Sequence, residues 1–585
     1  MAAFIPTEGQ GYLSQKYKLA KSFEQSGDFV NASRLYLELF KSDTTNQQYF
    51  DSYIRAMKAQ NKNAELIPFV ENHIKYYPDS KSNILLGELY WREGETKKAE
   101  EVWGQAIEIG KDDINTYKEL STTQLILRLF QKAIETLNAG RQNLDSPDIF
   151  ADRLSQLYAI TGDYKNGIRE VLILFKSSKD LAIAEGRLSA LAVNPKAKKY
   201  ILDILKEKSE NGDYGFKLLY AWYLTTLDNF KEALQVYKEI DNTLTARGRE
   251  VYNFAGNAVD AGKYNIAIEA YRWVIDKGKD SPYAVSALYK LVKTTEMKYE
   301  ASGNLDENTA EDIIAQYRSV IKEYPKTSTA DQCSYNIALL YKRMGKLNEA
   351  LKELEYLSNL HYYSTYRVPS ILLKGDIYFM LDDIDKAVLD YRKIVDLFKR
   401  NKEQYYQALY SLAEIEYFNG QLDSAIAHFT DLTQITDSDV SNDALEKITL
   451  IEANKNLNKA LAIYAKGEKA EKQNKLQKAI KLFSDVVKLS KPENLFDLSM
   501  IKLSGLYYKL GEKDEAIKLL KELLKEKPES IKASYCLFNI AKINFEEKKY
   551  NDAMQDFMGL LKKYPKSIYN ETARDYIRQI RELIN

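Results

Sequence analysis

Small residues recur along this chain at a nearly constant interval. Ala99, Ala133 and Gly167 are evenly spaced, and Ala233 and Ala267 are separated by the same interval. The period is about 34 residues, and self-similarity at a period of this size is the sequence signature of a repeat architecture. Because one unit of this length cannot bury its own apolar face, the chain is predicted to fold as a stack of similar units.

The same marker continues in the second half of the chain, where the interval is longer. The markers there are Ala350, Ala387, Ala425, Ala479, Ala516 and Ala553. Most of these units have a period of about 37 residues and are therefore longer than the N-terminal ones by about one helical turn. The interval between Ala425 and Ala479 is the exception, because it is much longer than the others.

The unit itself has the pattern of a helical hairpin. Leu503, Tyr507 and Leu510 are spaced i, i+4, i+7 and form one apolar stripe on a helix. Gly511 then supplies a permissive turn. On the next helix, Ala516 has so small a side chain that the two helices can approach closely. The pattern predicts an all-α fold of antiparallel helix hairpins.

This skeleton resembles the tetratricopeptide repeat, whose pattern places Leu, a small residue and Tyr on one helix, then Ala, an aromatic and Pro on the next. The matching residues in one stretch are Leu503, Ser504, Tyr507, Ala516, Leu520 and Pro528. The resemblance extends from about Gly11 to the end, with weak copies at 47–80 and 177–213. It implies a right-handed α-solenoid whose first helices line a concave groove.

The repeat period suggests a domain organisation. Residues 11–297 are predicted to form an N-terminal array with the shorter period, and residues 313–567 a C-terminal array with the longer one. The polar segment 298–312 is interpreted as an insertion that maps to a loop, with a border of two subdomains near residue 300. Residues 568–585 are predicted to form a capping helix. Residues 1–10 are interpreted as a leader or a remnant of cloning.

Composition excludes several classes of partner. Lys plus Arg and Asp plus Glu are both 84, so no global field attracts nucleic acid or an anionic membrane. No apolar run approaches the ~18 residues of a transmembrane helix. The lysine-rich segment 455–481 suits either an anionic partner or a solvated helix face, and the second is favoured because only Tyr464 interleaves with the lysines.

Cys333 and Cys536, which lie far apart in the sequence, are predicted to be buried free thiols.

No residue pattern typical of a catalytic, cofactor or metal site is found. His73, His361 and His428 lie in different repeats, and none has a second ligand nearby at metal spacing. The run Gly256–Lys263 superficially suggests a phosphate loop, but five residues separate its glycines where four are needed. The chain is therefore predicted to be non-catalytic and to use no cofactor.

Tyrosine is unusually frequent, at 44 residues. In tetratricopeptide arrays one stripe of each first helix lines the groove, and here that stripe carries many aromatic residues. The predicted partner-binding groove consists of Tyr252, Asn253, Tyr335, Asn336, Tyr410, Tyr417, Tyr508, Tyr535, Phe538 and Phe545. Aromatic walls offer large, rigid contact area to an extended segment or an amphipathic helix. The alternative, that coding bias alone enriches tyrosine, stays open.

A second resemblance concerns the repeat junctions. Residues 77–80, 324–327 and 564–567 share a Tyr-Pro-x-Ser/Thr pattern, which is similar to junctions in bacterial envelope proteins of the β-barrel-assembly lipoprotein and Tol–Pal-associated coordinator type. Physically, Pro stops one helix and Ser or Thr caps the next. If a signal peptide was removed, the resemblance implies the periplasm or the periphery of the outer membrane; otherwise it implies the cytoplasm.

These patterns together favour a scaffold that binds protein or peptide segments on its concave surface and assembles a multiprotein complex. The alternative is a self-associating structural solenoid, that is, a homo-oligomer. A glycan binder or an enzyme of unfamiliar type is less favoured. Sequence-specific nucleic-acid binding is not expected.

Overall fold

The computed structural model describes residues 8–210, 214–243, 247–359, 364–435, 439–491, 493–530 and 532–584. Every regular element in these ranges is a helix. Their packing divides the chain into two compact units, which meet in sequence between Ala258 and Val259.

Helices α1 to α14 and most of α15 belong to the first unit. Their bounds are α1 Glu8–Gln25, α2 Phe29–Ser42, α3 Gln47–Ala59, α4 Asn63–Tyr76, α5 Ser80–Arg92, α6 Thr96–Ile109, α7 Ile114–Ile126, α8 Phe130–Asn143, α9 Ala151–Thr161, α10 Tyr164–Ser178, α11 Leu181–Ala192, α12 Pro195–Glu210, α13 Tyr214–Thr226, α14 Phe230–Thr243 and α15 Arg249–Asp260.

The second unit contains the remaining helices. Their bounds are α16 Tyr264–Asp276, α17 Ala284–Ala301, α18 Glu307–Glu323, α19 Ser328–Arg343, α20 Leu347–Asn359, α21 Arg367–Met380, α22 Ile384–Leu397, α23 Lys402–Phe418, α24 Leu422–Thr433, α25 Asp439–Asn454, α26 Asn458–Lys472, α27 Leu476–Ser490, α28 Asn494–Lys509, α29 Lys513–Glu526, α30 Ala533–Glu546, α31 Tyr550–Lys563 and α32 Asn570–Ile584.

The repeat markers lie where the sequence places them, in contacts between helices. Ala99, Ala133, Ala233, Ala267, Ala350, Ala387, Ala425, Ala479, Ala516 and Ala553 all have 0% exposed surface. Where the second helix has a large side chain at the contact, the first helix has a glycine facing it. A Cβ on Gly87 of α5, for example, would lie 2.3 Å from Nε1 of Trp103 of α6. Gly511 ends its first helix with φ of 81°, a conformation that favours glycine. The prediction of an all-α solenoid of helix hairpins is confirmed.

The polar segment 298–312 was expected to be a loop, and the structure corrects this. Helix α17 continues to Ala301 and α18 begins at Glu307, so residues 302–306 alone connect them. Tyr299 near the end of α17 and Leu305 in the connection both pack against the buried cluster around Tyr317. The border between the compact units lies before this segment, within α15.

The unusually long interval between Ala425 and Ala479 has a structural cause. An additional helix, α25 (Asp439–Asn454), lies between the hairpin α23–α24 and the hairpin α26–α27. It packs along α24 and also contacts α23, α26 and α28. Helix α25 is therefore an insertion between two regular hairpins.

The repeat junctions are capped in different ways. Thr327 is the N-cap of α19 and its side chain accepts a hydrogen bond from the Ala330 amide at 3.1 Å, as predicted. Before α5 the cap is Asp79, which accepts from the Ser82 amide at 2.8 Å, so the predicted cap Ser80 is already the first helical residue.

The last helix, α32, buries Ala573, Ile577 and Ile580, whereas Ile584 is about half exposed.

In the described part of the chain, no helix has both the length and the apolar character needed to cross a membrane.

Candidate functional site

The predicted groove residues all lie on the first helices of hairpins, but the structure distributes them over five of these helices. Tyr252 and Asn253 lie on α15, Tyr335 and Asn336 on α19, Tyr410 and Tyr417 on α23, Tyr508 on α28, and Tyr535, Phe538 and Phe545 on α30. Their exposure and contacts decide which of them are accessible to a partner.

Two of the predicted groove residues are core residues instead. Tyr417 has 0% exposed surface, and its hydroxyl donates a hydrogen bond to Glu468 Oε2 at 3.0 Å. Asn336 is 7% exposed, and its Nδ2 donates to the Tyr289 hydroxyl at 3.2 Å and to the Gln332 carbonyl at 2.8 Å. Neither side chain is available to a partner, so both predictions are wrong.

The chain's own helices α25 and α26 cover Tyr417. The Lys447 ammonium of α25 lies 5.0 Å from the centre of the Tyr417 ring and 2.9 Å from Glu468 Oε2. Glu414, on the same helix as Tyr417, is 3.9 Å from Lys447 and also pairs with Lys472 of α26. This network fills the stretch of first-helix surface that the sequence assigns to a partner.

Tyr410 lines a cavity of about 430 Å³ that α25 helps to enclose. The wall also includes Asp376 of α21, Tyr391 of α22 and Asp443 of α25. The Tyr391 hydroxyl donates to Asp376 Oδ1 at 2.8 Å, and burial raises the pKa of the Asp376 carboxyl. Burial also raises the pKa of Tyr410, so its hydroxyl stays protonated.

Residues at the end of α26 contact the end of α21, beside the same cavity. Gln473 Nε2 donates to the Phe379 carbonyl at 2.9 Å and to Asp382 Oδ1 at 2.8 Å. Lys469 and Lys475 also pair with Asp382, at 2.9 and 3.1 Å. These hydrogen bonds, of which the one from Gln473 contributes most, hold the pKa of Asp382 well below its ordinary value. Part of the lysine-rich segment is thus occupied in structural ion pairs rather than forming a merely solvated face.

The aromatic residues of α30 pack against the final helix and the turn before it. Phe538 stacks on Tyr569 at 4.9 Å, Phe545 meets Tyr576 edge-on at 5.0 Å, and Tyr535 lies 6.1 Å from Tyr569. All three predicted residues are half-buried. Because an aromatic side chain on one first helix reaches the next, much of its area is used between repeats.

The remaining predicted groove residues are at least partly accessible. Tyr508 is 38% exposed, and its hydroxyl donates to Glu546 Oε2 at 2.6 Å. Asn253 is exposed, while Tyr252 and Tyr335 are half-buried. Accessibility alone does not show that these residues bind a partner, and their role stays a prediction.

A different first-helix surface, in the first unit, carries two adjoining cavities. One, of about 340 Å³, lies between α3 and α5, and the other, of about 430 Å³, is lined by α5, α7 and α9. Lys81 and Leu85 line both cavities, so they form one continuous surface. The buried side chains of Phe50, Ile54 and Ile84 form its apolar floor.

One basic residue per repeat follows this surface. Lys81 of α5, Lys118 of α7, Arg153 of α9 and Arg187 of α11 succeed one another at close to the repeat interval. We call these four residues the basic strip. They are not aromatic and so are absent from the predicted groove, although their recurrence at the repeat interval is visible in the sequence.

Three members of the basic strip reach back to the preceding first helix. Lys81 Nζ lies 2.9 Å from Asp51 of α3, and Arg187 Nε lies 2.6 Å from Asp152 of α9. Among the described residues, Arg153 donates only to neutral acceptors of α7, which are the Lys118 carbonyl, Ser121 Oγ and Thr122 Oγ1, at 3.1, 3.3 and 2.9 Å. The strip therefore joins repeats and also leaves positive charge at the surface.

Two further basic residues beside the strip form ion pairs in which the acidic side chain is the more buried partner. Arg55, whose side chain is 58% exposed, pairs with Glu24, which is 15% exposed. Lys58, 30% exposed, lies 2.6 Å from Glu88, which is 13% exposed. The cationic member of each pair is the one that faces solvent.

The histidines and thiols of the described chain are structural or isolated. Burial lowers the pKa of His73, which stacks on Phe50 at 4.0 Å. His428 is exposed beside Glu416, and His361 lies outside the described residues. Cys333 and Cys536 are free and buried, as predicted, and burial raises the pKa of each thiol to about 12. Within the described ranges, no three His, Cys, Asp or Glu side chains are grouped as metal ligands would be.

Residues 455–585, which contain α26 to α32, match the family model of the outer membrane lipoprotein YfiO, a TPR-like family. With the stacked hairpins and their buried small residues, this match decides the repeat type. Residues 455–585 therefore form tetratricopeptide-like repeats. A TPR-like fold is typical of proteins that act as protein-interaction scaffolds. No curated protein matches the sequence.

Solved structures of other helical repeat proteins also align with this chain. A structure of Naa15/Naa10 bound to HypK-THB covers 97% of this chain and 96% of its own, with 14% identity and a TM-score of 0.31. A tetratricopeptide repeat protein from Parabacteroides merdae covers 57% and 98%, with 14% identity and a TM-score of 0.24. The APC/C hetero-tetramer Cut9-Hcn1 covers 97% and 96%, with 13% identity and a TM-score of 0.21. At these TM-scores the superpositions carry no functional argument.

Proposed function

We propose that this protein is a non-catalytic scaffold that binds a segment of another protein on the first helices of its N-terminal unit and so helps to assemble a multiprotein complex. The observation that carries the proposal is the pair of adjoining cavities across α3, α5, α7 and α9. An apolar floor with charged side chains around it is the usual composition of a protein-binding surface. The first-helix surface at α23, by contrast, is filled by α25 and α26.

We also propose a bacterial envelope setting, in the periplasm or at the outer membrane. The family model matched by residues 455–585 describes an outer membrane lipoprotein, and the matched part includes the Tyr-Pro-Lys-Ser junction at 564–567. This match supports the setting for the C-terminal repeats. A protein exported in that way would carry a signal peptide in its precursor.

Site-specific photo-crosslinking in the native cell tests the binding proposal. A photo-reactive amino acid replaces Glu119, which is exposed and lines the larger cavity. The matched control carries the same amino acid in place of Lys97, which is exposed on the second helix α6. We expect a second protein, identified by mass spectrometry, to be joined to the Glu119 variant and absent from the Lys97 variant.

The other results contradict the proposal in distinct ways. If both variants capture the same proteins, the cavity surface has no preference for a partner. If the Glu119 variant joins only to further copies of this chain, the self-associating solenoid is the better description. Fractionation of the cell envelope, followed by detection of the untagged protein, tests the compartment separately.

A further inference from the structure

We infer that the partner segment bound along the basic strip is acidic and extended, with carboxylates spaced to meet one basic residue in each successive repeat. This inference rests on the proposed function, because it names the chemistry of the segment that the same surface would bind.

The balance of exposed charge carries the first step. Among the charged residues lining the two cavities, five are basic and three are acidic: Arg55, Lys58, Lys81, Lys118 and Arg153 against Asp51, Glu88 and Glu119. The most buried of these acids, Glu88, is held between Lys58 at 2.6 Å and Arg92 at 2.9 Å. Because the basic residues outnumber the acidic ones and face solvent, the surface presents positive potential to an approaching chain.

Two neighbouring cations have no carboxylate partner among the described residues. Arg153 is half-buried and its guanidinium contacts only the neutral oxygens of α7. Lys118 is exposed on the same cavity wall, and no acid of the described ranges forms an ion pair with its ammonium. A half-buried guanidinium without a counter-charge gains more from an incoming carboxylate than a fully solvated one, because part of its desolvation has already occurred.

Geometry fixes the spacing. Helices in direct contact, such as α5 and α7, lie about 8 to 10 Å apart, whereas an extended chain advances about 3.3 Å per residue. A segment crossing α5, α7, α9 and α11 therefore meets the four basic residues once in about every three residues. Apolar side chains between the acids would face Ile84 and Leu85 of α5.

A nucleic acid fits the same surface less well. Among the described residues that line the two cavities there is no Tyr, Trp or His, and the ring of Phe50 is only 2% exposed, so no aromatic platform is available there for base stacking.

The test measures binding of defined peptides to the full-length chain by fluorescence anisotropy. The probe is a labelled, acetylated and amidated twelve-residue peptide with Glu at every third position and Leu, Ser or Thr between. The first comparison peptide has Gln in place of each Glu, and the second has the same composition with its Glu residues adjacent. We expect the spaced Glu peptide to bind tightest and its affinity to fall at high salt.

Charge-reversal variants assign the site. Lys118→Glu combined with Arg153→Glu should weaken binding about tenfold or more, as expected for the loss of two ion pairs. The matched control, Lys97→Glu combined with Lys176→Glu, makes the same change of charge on exposed positions of α6 and α10 in the same unit. Since Arg153 also joins α9 to α7, Lys118→Glu alone serves as a second variant that leaves those hydrogen bonds in place.

Each result bears on the inference. Equal binding of the Glu and Gln peptides overturns the acidic character, and equal binding of the spaced and adjacent Glu peptides overturns the extended spacing. Equal loss in the site and control variants places the binding elsewhere. Tighter binding of single-stranded DNA than of the Glu peptide would show that the positive surface serves nucleic acid. If the peptides fail while the Glu119 crosslink still captures a protein, the charge assignment is wrong and the proposed scaffold function stands.

Discussion

The Tyr417 hydroxyl donates a hydrogen bond to Glu468 Oε2 at 3.0 Å and thereby joins α23 to α26. Glu468 also accepts from Lys447 of α25, so residues of three helices meet at one carboxylate. The contact explains why a tyrosine at a predicted groove position is buried: α25 brings Lys447, and α26 brings Glu468, to the first-helix surface where the sequence predicted a groove.

Removing Lys447 should destabilise the second unit. Lys447 lies between Glu414 and Glu468, and the side chains of all three are at most 13% exposed. In Lys447→Ala the two carboxylates lose their shared buried cation, which typically costs about 3 kcal/mol or more in the free energy of unfolding. Urea denaturation followed by circular dichroism measures the change.

The control for this prediction is Lys455→Ala. Lys455 directly follows α25 and pairs with Glu452, but its side chain is 63% exposed. An exposed pair of this kind contributes less than about 1 kcal/mol. Equal effects of the two substitutions would mean that Lys447 is not part of a buried network.

Tyr417 and Tyr508 were assigned the same role from the sequence, and the structure predicts different behaviour. Tyr417→Ala removes a fully buried ring and should cost about 3 to 5 kcal/mol of stability, as large-to-small core substitutions do. Tyr508 is 38% exposed, so Tyr508→Ala should cost less than about 1 kcal/mol. Thermal unfolding of the two variants side by side decides between core and surface; similar melting temperatures would contradict the burial of Tyr417.

How far the sequence predicts this structure depends on the range of the interactions involved. The hairpins are predictable because their signals are local: Leu503, Tyr507 and Gly511 lie within three helical turns of one another. The burial of Tyr417 depends on Lys447, which lies on a later helix, and on Glu468, which is 51 residues away. Periodicity within one repeat contains no information about such contacts.

The long interval between Ala425 and Ala479 was the one available sign of α25. It exceeds the regular interval by about the length of one helix, and residues 439–454 supply that helix. Where an inserted helix would pack is not encoded in the interval itself. Similarly, the basic strip recurs at the repeat period, but the sequence does not show that Arg153 contacts only neutral oxygens while Lys81 pairs with Asp51.

The small positions of the repeat should tolerate no added methyl group where a large ring faces them. A Cβ on Gly87 would lie 2.3 Å from Trp103 Nε1 and 2.4 Å from Cδ1, so the indole must move. Gly87→Ala should therefore lower the free energy of unfolding by about 1 to 3 kcal/mol. Gly104 on α6 is the matched control, since nothing lies within 4 Å of its added Cβ. Gly104→Ala should instead stabilise by up to about 1 kcal/mol, through helix propensity. Destabilisation by both would contradict the tight packing at Gly87.

Asp390 supplies a prediction for pH. The side chain lies on α22, the residue is 7% exposed, and no described residue donates a hydrogen bond to its Oδ2. Burial raises the pKa of its carboxyl above the ordinary value, although the charges of Lys374 and Lys393 oppose the shift. The neutral acid is thus favoured in the folded state, and stability is lost as the pH rises from the ordinary pKa near 3.8 through the raised folded value.

Asp390→Asn removes this ionisation. At neutral pH the variant should therefore be more stable than the wild type, by about 1 kcal/mol, and the difference should shrink as the pH falls below the ordinary carboxyl pKa. Denaturation midpoints measured from acid to neutral pH give the profile. Asp385→Asn, on the exposed face of the same helix, should change the stability by less than about 0.5 kcal/mol across the range. If Asp390→Asn instead makes the protein less stable than the wild type at neutral pH, and less so at acid pH, the carboxylate is stabilised in its charged form. The attraction of Lys374 then outweighs the effect of burial on the carboxyl pKa.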